Sequence, residues 1–292
     1  MALVNLKQIL METRDKRYAV PSVGADNHVL FEAILKEAES ENKPVILMIP
    51  GFLLKDMDPR FFEYARLRII QSSVPVCLHL DHAASYEECM NGIKYGFTSL
   101  MIDGSALSFE ENVALTKRVV EAAAPCGISV EAEIGHVAGG EGNNNDGNEV
   151  DVNAFTDPDE AQRFVEETGV DALAIAFGTV HGIYKGEPKL KLELLDEVRE
   201  RVDIPIVMHG GSGLSDEDFR NAVAHGISKI NFCTGLFLST TEAARAAIAE
   251  HNNKMQLPAV LGVIERAARK EISHLFDVYH TQPIDLGNIA HK

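Results

Sequence analysis

The sequence predicts an α/β fold, a (β/α)8 or TIM barrel. Three observations carry that prediction: eight short β-branched runs, helical patterns between them, and no break in composition along 292 residues. The runs are YAVPSV (18 to 23), PVILMI (44 to 49), VPVCLHL (74 to 80), FTSLMID (97 to 103), ISVEAEI (128 to 134), ALAIAFG (172 to 178), IPIVMHG (204 to 210) and ISKINFC (227 to 233). Between them lie amphipathic stretches such as VLFEAILKEAESEN, ENVALTKRVVEAAAPCG and DPDEAQRFVEETGV. The last of these has Asp157 or Thr156 as its N-cap, ahead of Pro158. A doubly wound sheet is the alternative, but no GxGxxG turn follows the first run. Beyond about Leu236, TTEAARAAIAEHNN and AVLGVIERAARKEISHLF read as helices that close the barrel and offer an oligomer contact. Residues 1–292 are therefore expected to form a single domain, with 236–292 its helical extension.

Bulk properties narrow the chemistry. A hydrophobic content of 46% supports a large core, and the length is ordinary for an α/β barrel. With 27 Lys and Arg against 44 Asp and Glu, the net charge of -17 repels nucleic acid and anionic membranes, so any phosphate must be held by a local site. Cys77, Cys89, Cys126 and Cys233 show no CxxC spacing and read as reduced thiols. The first residues, MALVNLKQILMETRDKR, lack the apolar core of a secretory signal, and no segment approaches a membrane span. A cytoplasmic protein is expected.

In such a barrel the chemistry sits where strands end and βα loops begin. The third run ends in Asp81 and His82, the fourth in Asp103, Gly104 and Ser105, and the fifth in Glu131, Glu133 and His136. The sixth ends in His181 and Gly182, the seventh in HGGSG from His209, and the eighth in Asn231 and Thr234. His82, His181 and His209, from three different strands, are enough ligands for a catalytic zinc with an open position. Taken singly these features are bland. An Asp-His pair is more often a structural hydrogen bond, and GGSG is a turn at least as often as an anion site. Here GGSG follows a strand and precedes SDEDFRNAV, so its amides could cradle a phosphate near a helix start. Glu131 and Glu133 share a parity and face inward, as site residues or as partners of a Lys or Arg in the mouth; His79 reads as a packed core histidine. The stretch AGGEGNNNDGNE (138 to 149) is a surface loop or a closing lid with Glu141 in its midst.

From YAVPSV to about Thr234 the chain resembles the zinc-dependent class II aldolases that cleave fructose or tagatose bisphosphate. The ordered set HLDHAAS, SLMIDGSAL, SVEAEIGH, a glycine-rich loop, FGTVHGIYKGEPKL, VMHGGSG and KINFCT carries the resemblance. It implies Zn2+ on His82, His181 and His209, with Asp103 and Glu133 at a second or resting metal position. It implies that Asp81 is the catalytic acid/base beside the metal. Gly182, Lys185, Gly210, Gly211 and Ser212 would clamp the phosphate of dihydroxyacetone phosphate, with Asn231 and Thr234 completing the donor site. A monovalent cation (Na+ or K+) on carbonyls near Val180 and Gly182, and a homo-dimer or homo-tetramer, follow from the same resemblance.

Retro-aldol cleavage leaves an enediolate, and without a lysine Schiff base a chelated zinc takes up that charge. Asp81 would take the C4 hydroxyl proton, and Glu141 on the loop would exchange the C1 proton of the donor. The donor half matches the family, whereas the acceptor half departs from it. Gly24 stands for an asparagine, Met48 for an amide, His136 for an arginine, and Cys233 and Gly235 lie where an acidic residue is often found. The arginine-bearing C-terminal segment of many members has no counterpart in NNKMQLPAVLGV. The expected acceptor is therefore not glyceraldehyde 3-phosphate, unless Arg60, Arg66 or Arg68 has taken over its phosphate. A non-catalytic aldolase-like subunit leaves the site residues unexplained, and a zinc barrel hydrolase would carry an HxH pair after its first strand, where this chain reads SVGADNH.

Overall fold

The computed structural model describes residues 2–139, 154–285 and 287. Among the described residues there are nine strands: β1 (Leu3–Val4), β2 (Val20–Gly24), β3 (Val45–Pro50), β4 (Val76–Ala83), β5 (Ser99–Ile102), β6 (Ser129–Ile134), β7 (Ala172–Ile175), β8 (Ile206–Met208) and β9 (Ile227–Phe232). All neighbours are parallel, and β2 to β9 close into an eight-stranded ring because β2 pairs with β9 and β4 with β5. The short β1 hangs on β4, with Leu3 opposite Val76.

The eight runs all become barrel strands, but several end early. The run 97 to 103 gives Ser99–Ile102, 172 to 178 gives Ala172–Ile175, and 204 to 210 gives Ile206–Met208. Their last residues have already left the sheet for βα loops, as the positive φ of Gly178 (116°) and Gly210 (72°) records. Most helices between strands start on side-chain caps, Leu192–Arg201 being one that does not. Asn27 caps His28–Glu41, Asp58 caps Pro59–Ile70, and Asp157 rather than Thr156 caps Pro158–Thr168. The Thr156 hydroxyl instead donates to Ile134 O and accepts from Ala176 N, stitching β6 to β7.

Side-chain parity sorts the core into two compartments. One set of alternate positions faces the helices, for example Val23, Leu47, Ile49, Leu78 and Leu80. The other faces the barrel axis. Near the N-terminal strand ends the axial residues are Val20, Ile46, Cys77, Ala172, Ala174 and Val207, sealed from below by Leu6, Ile9, Leu10, Tyr18 and Ile284. Higher up, the axial positions become Ser22, His79, Asp81, Ser99, Glu131, Glu133, Lys229 and Asn231, all buried. The sequence reading did not foresee the N-terminal segment as a floor.

The C-terminal helices are Thr234–Glu250, beginning two residues ahead of the expected Leu236, and Leu257–Val278, which packs against His28–Glu41. The tail then returns to the start of β2, where Ala19 N donates to Tyr279 O and the Thr281 hydroxyl donates to Ala19 O. No helix among the described residues is long and apolar enough to cross a membrane.

Candidate active site

Strand β4 supplies two adjacent residues to the same side, which strict alternation forbids. His79 and Asp81 point along the axis as the pleat requires. His82 joins them because the β4–β5 register shifts between Leu80 and Ala83 and its own backbone is left-handed, with φ 46°. That conformation costs a non-glycine residue about 1–3 kcal/mol and persists only where the surroundings enforce it. His82 Nδ1 lies 2.8 Å from Asp103 Oδ2, and Asp103 Oδ1 accepts from the Ser105 amide at 3.0 Å and its hydroxyl at 2.7 Å. Burial would raise the Asp103 pKa, but the His82 and Ser105 hydrogen bonds outweigh it and hold the carboxyl well below its usual range.

Three imidazoles converge over Asp81. The His82 and His209 rings are 4.6 Å apart, His82 and His181 4.9 Å, and His181 and His209 5.7 Å, with interplanar angles of 87°, 77° and 90°. Burial holds His181 and His209 below the usual imidazole range, and at His181 the neighbouring His82 and His209 add to it. Neutral imidazoles are what a divalent metal requires. The ligand atoms of His82, His181 and His209 all lie within 4.8 Å of one another, and His82 Nε2 faces His209 Nδ1 at 2.8 Å. A second set, His82, Asp103 and Glu133, meets the same spacing. Glu133 accepts from Val137 N through Oε1, while its buried Oε2 has no hydrogen-bond partner among the described residues. Burial and the adjacent Asp103 charge push the Glu133 pKa up to about 8. Two carboxylates and an imidazole crowded in this way would be relieved by a cation, so the donor set fits a metal at either position.

Below the tripod lies a layer of buried charge. Lys229 Nζ sits 3.0 Å from Glu131 Oε1 and 2.9 Å from Oε2, with neither side chain exposed. Glu131 Oε1 is also 2.9 Å from His209 Nε2. Burial opposes ionisation of Glu131, but Lys229 and His209 pull its pKa down to about 2. His79 is buried as expected, yet its surroundings are polar rather than apolar: Nδ1 is 2.8 Å from Ser99 Oγ and Nε2 is 3.5 Å from Asp81 Oδ1. The Asn231 amide donates to Asp81 Oδ1 at 3.0 Å and fixes that carboxylate under the imidazoles. Glu131 was readable from parity; Lys229 was missed, although a lysine inside ISKINFC, two positions before Asn231, was the available signal.

The glycine-rich turn after β8 faces the loop after β7. Gly210 has φ 72°, and a Cβ there would stand 2.4 Å from Val180 O, so no side chain fits. The Tyr184 hydroxyl accepts from Val180 N at 3.2 Å and donates to Gly210 O at 2.7 Å, which ties the loop of His181, Gly182 and Lys185 to that of His209, Gly210, Gly211 and Ser212. Ser212 Oγ accepts from Gly235 N at 2.9 Å, joining the turn to the start of the helix that opens at Thr234. The helix after the turn does not offer its own N-terminus: the Ser215–Asp218 capping box closes it, with Asp216, Glu217 and Asp218 in its first turn. Amides available to a phosphate therefore belong to the turn rather than to that helix. Lys185 is exposed on the rim. Glu141 lies outside the described residues.

At the end of β2, a Cβ on Gly24 would meet Cys233 Sγ at 2.8 Å and Phe237 Cζ at 3.2 Å, so a thiol and a phenyl ring occupy the space of a side chain there. Met48 takes a hydrogen bond from the Ser22 hydroxyl on its sulfur at 3.6 Å, and exposed His136 lies 3.2 Å from Ser105 Oγ. Arg60 is engaged by Asp58, Arg68 by Glu39 and Glu32, and Arg66 lies against Gly96, which precedes β5 at the floor end.

A closed barrel with a histidine tripod, a buried aspartate and a glycine turn at the C-terminal strand ends is the frame of a barrel enzyme that works on a small molecule at a metal. The family model described as Fructose-bisphosphate aldolase class-II matches residues 4–282. Fructose-bisphosphate aldolase of Staphylococcus aureus is 38% identical over 277 residues, covering 93% of this chain and 95% of its own. That of Staphylococcus epidermidis is 37% identical over 277 residues, with the same coverage of 93% and 95%. Among solved structures, the YdjI aldolase from Escherichia coli K12 superposes with a TM-score of 0.84 at 32% identity, covering 96% of this chain and 98% of that one. The chain belongs to the class II fructose-bisphosphate aldolase family. It is accordingly a lyase, of a family that acts on phosphorylated sugars and is typically metal dependent.

Proposed function

We propose that the chain is a zinc-dependent aldolase that reversibly cleaves a ketose 1-phosphate to dihydroxyacetone phosphate and an unphosphorylated aldehyde. The observation that carries the reading is the placement of the Asp81 carboxylate under three converging imidazoles, with the glycine turn of Gly210 to Ser212 beside them. His82, His181 and His209 would hold Zn2+, and Asp103 and Glu133 with His82 a second or resting position. Bound there, the ion supplies Lewis acidity toward the ketone and the hydroxyl next to it. Asp81, oriented by Asn231, accepts the C4 hydroxyl proton during cleavage and returns it during condensation. The amides of Gly210, Gly211 and Ser212, with Gly182 and Lys185, place the donor phosphate, and Thr234 and Asn231 close the donor side. Carbonyls near Val180 and Gly182 would carry the monovalent cation. Glu141 is assigned exchange of the donor C1 proton; Glu141→Ala should slow that exchange more than it weakens donor binding. The working form is read as a cytoplasmic homo-dimer or homo-tetramer.

The acceptor rim supports the choice of an unphosphorylated aldehyde. Gly24 leaves no side chain to reach a substrate, Met48 offers sulfur in place of an amide, and Arg60 and Arg68 are engaged by their own carboxylates. A bidentate arginine to phosphate is the contact whose absence most reduces discrimination. The test is a panel of ketose phosphates with zinc-loaded protein. Ketose 1-phosphates should exceed fructose and tagatose 1,6-bisphosphate in kcat/KM. A bisphosphate ahead of every monophosphate by more than about 10²-fold, roughly one well-made charged contact, would return the protein to an ordinary bisphosphate aldolase.

A further inference from the structure

The Lys229–Glu131 pair presents a physical puzzle. Both side chains are fully buried at the barrel axis, and Lys229 is among the largest fully buried side chains of the described residues. Its partners across the sheet, Val20 on β2 and Val207 on β8, are apolar. Replacing a buried ion pair by well-packed apolar residues is often neutral or stabilising, so stability is a poor reason for one here. The Glu131 carboxylate is shared, however. Oε1 faces Lys229 Nζ at 3.0 Å on one side and His209 Nε2 at 2.9 Å on the other. The opposite nitrogen, His209 Nδ1, faces His82 Nε2 at 2.8 Å. The ammonium contacts both oxygens and so fixes the carboxylate's rotation, leaving Oε1 aimed at the imidazole.

We propose that Lys229 is a positioning residue that acts through Glu131, holding His209 with its Nε2–H donated inward and its Nδ1 lone pair presented to the His82–His181 side, and thereby setting the affinity of the site for Zn2+. The inference rests on the metal reading of the histidine tripod. A ligating histidine whose second nitrogen donates to an oriented carboxylate keeps one tautomer and one ring plane, and loss of such an outer partner typically lowers metal affinity by about 10- to 100-fold. Here the outer partner itself has a partner, so the chain of control is two residues long. Lys229 has a further consequence. His79, Asp81 and Glu131 also meet the spacing of a metal site, and the ammonium on Glu131 supplies that inner cluster with a fixed positive charge of its own.

Zinc affinity of the full chain, measured by competition with a chromophoric chelator, tests this through a double-mutant cycle of Lys229→Met, Glu131→Gln and the two together. The double variant removes both buried charges, which keeps it foldable even if Lys229→Met alone leaves an uncompensated carboxylate and fails to fold. The double variant should fold with parental thermal stability and bind Zn2+ about 10- to 100-fold more weakly. Because Lys229 acts through Glu131, adding Lys229→Met to Glu131→Gln should cost little further affinity. Parental affinity in the folded double variant, or a separate full-size loss on adding Lys229→Met to Glu131→Gln, overturns the inference and leaves the metal reading intact. A parental chain that binds no zinc overturns both.

Discussion

The two halves of the barrel interior follow the same pleat and obey opposite rules. Toward the floor, the axial positions carry Val20, Ile46, Cys77, Ala172, Ala174 and Val207, and their only task is to fill space. Further along β4, and on β6 and β9 beside that apolar layer, the axial positions carry His79, Asp81, Glu131, Glu133, Lys229 and Asn231, buried just as deeply. Burying charge is costly unless each group is paired, and here Asp81 is met by the Asn231 amide and Glu131 by the Lys229 ammonium and the His209 imidazole. Glu133 takes the Val137 amide on Oε1, but burial and the adjacent Asp103 charge push its pKa up to about 8. The contrast teaches that the floor half is stability and the mouth half is chemistry, built against the preference of the interior.

The contrast can be broken from either side. The largest effect should come from chelation: EDTA should abolish cleavage and zinc restore it, while borohydride with substrate leaves activity intact. Covalent trapping on a lysine would end the metal-based account. Next, Asp81→Ala should retain Zn2+ but slow the carbon–carbon step by about 10²-fold or more. Normal cleavage by that variant would move the acid/base role elsewhere. The smallest effect belongs to the floor, where Ile46→Val should lower the unfolding free energy by about 0.5–1.5 kcal/mol with kcat unchanged. A kcat loss at Ile46 matching that at Asp81 would show that the two halves are not separable.

The floor and the mouth were not equally legible in the sequence. Strand period and composition gave all eight barrel strands, because an axial or outward apolar residue announces itself by parity alone. Positions at the strand ends were readable for a related reason, since a polar residue closing an apolar run has to be accounted for. What alternation could not supply was His82. By strict parity it belongs on the face opposite Asp81, and only the register shift and the left-handed backbone bring it round. Lys229 escaped for the converse reason: it looks like an ordinary strand lysine until the closed ring places it opposite Glu131, 98 residues away in sequence. The floor itself came from short N-terminal elements, Leu6–Ile9 among them, whose apolar residues are too few to show a period.

Both ends of the described chain meet at that floor. Leu3 pairs with Val76, the first residue of β4, while Ile284 packs into the same apolar cluster as Leu6 and Ile9, and Thr281 is bonded to Ala19 just ahead of β2. The mouth, with its histidines and glycine turn, opens at the other end of the barrel axis. Anything attached at either end would therefore hang from the base, and a protein tethered to a bead or fused to a second enzyme through either end would present its reacting face outward, free to exchange substrate with the surrounding solution.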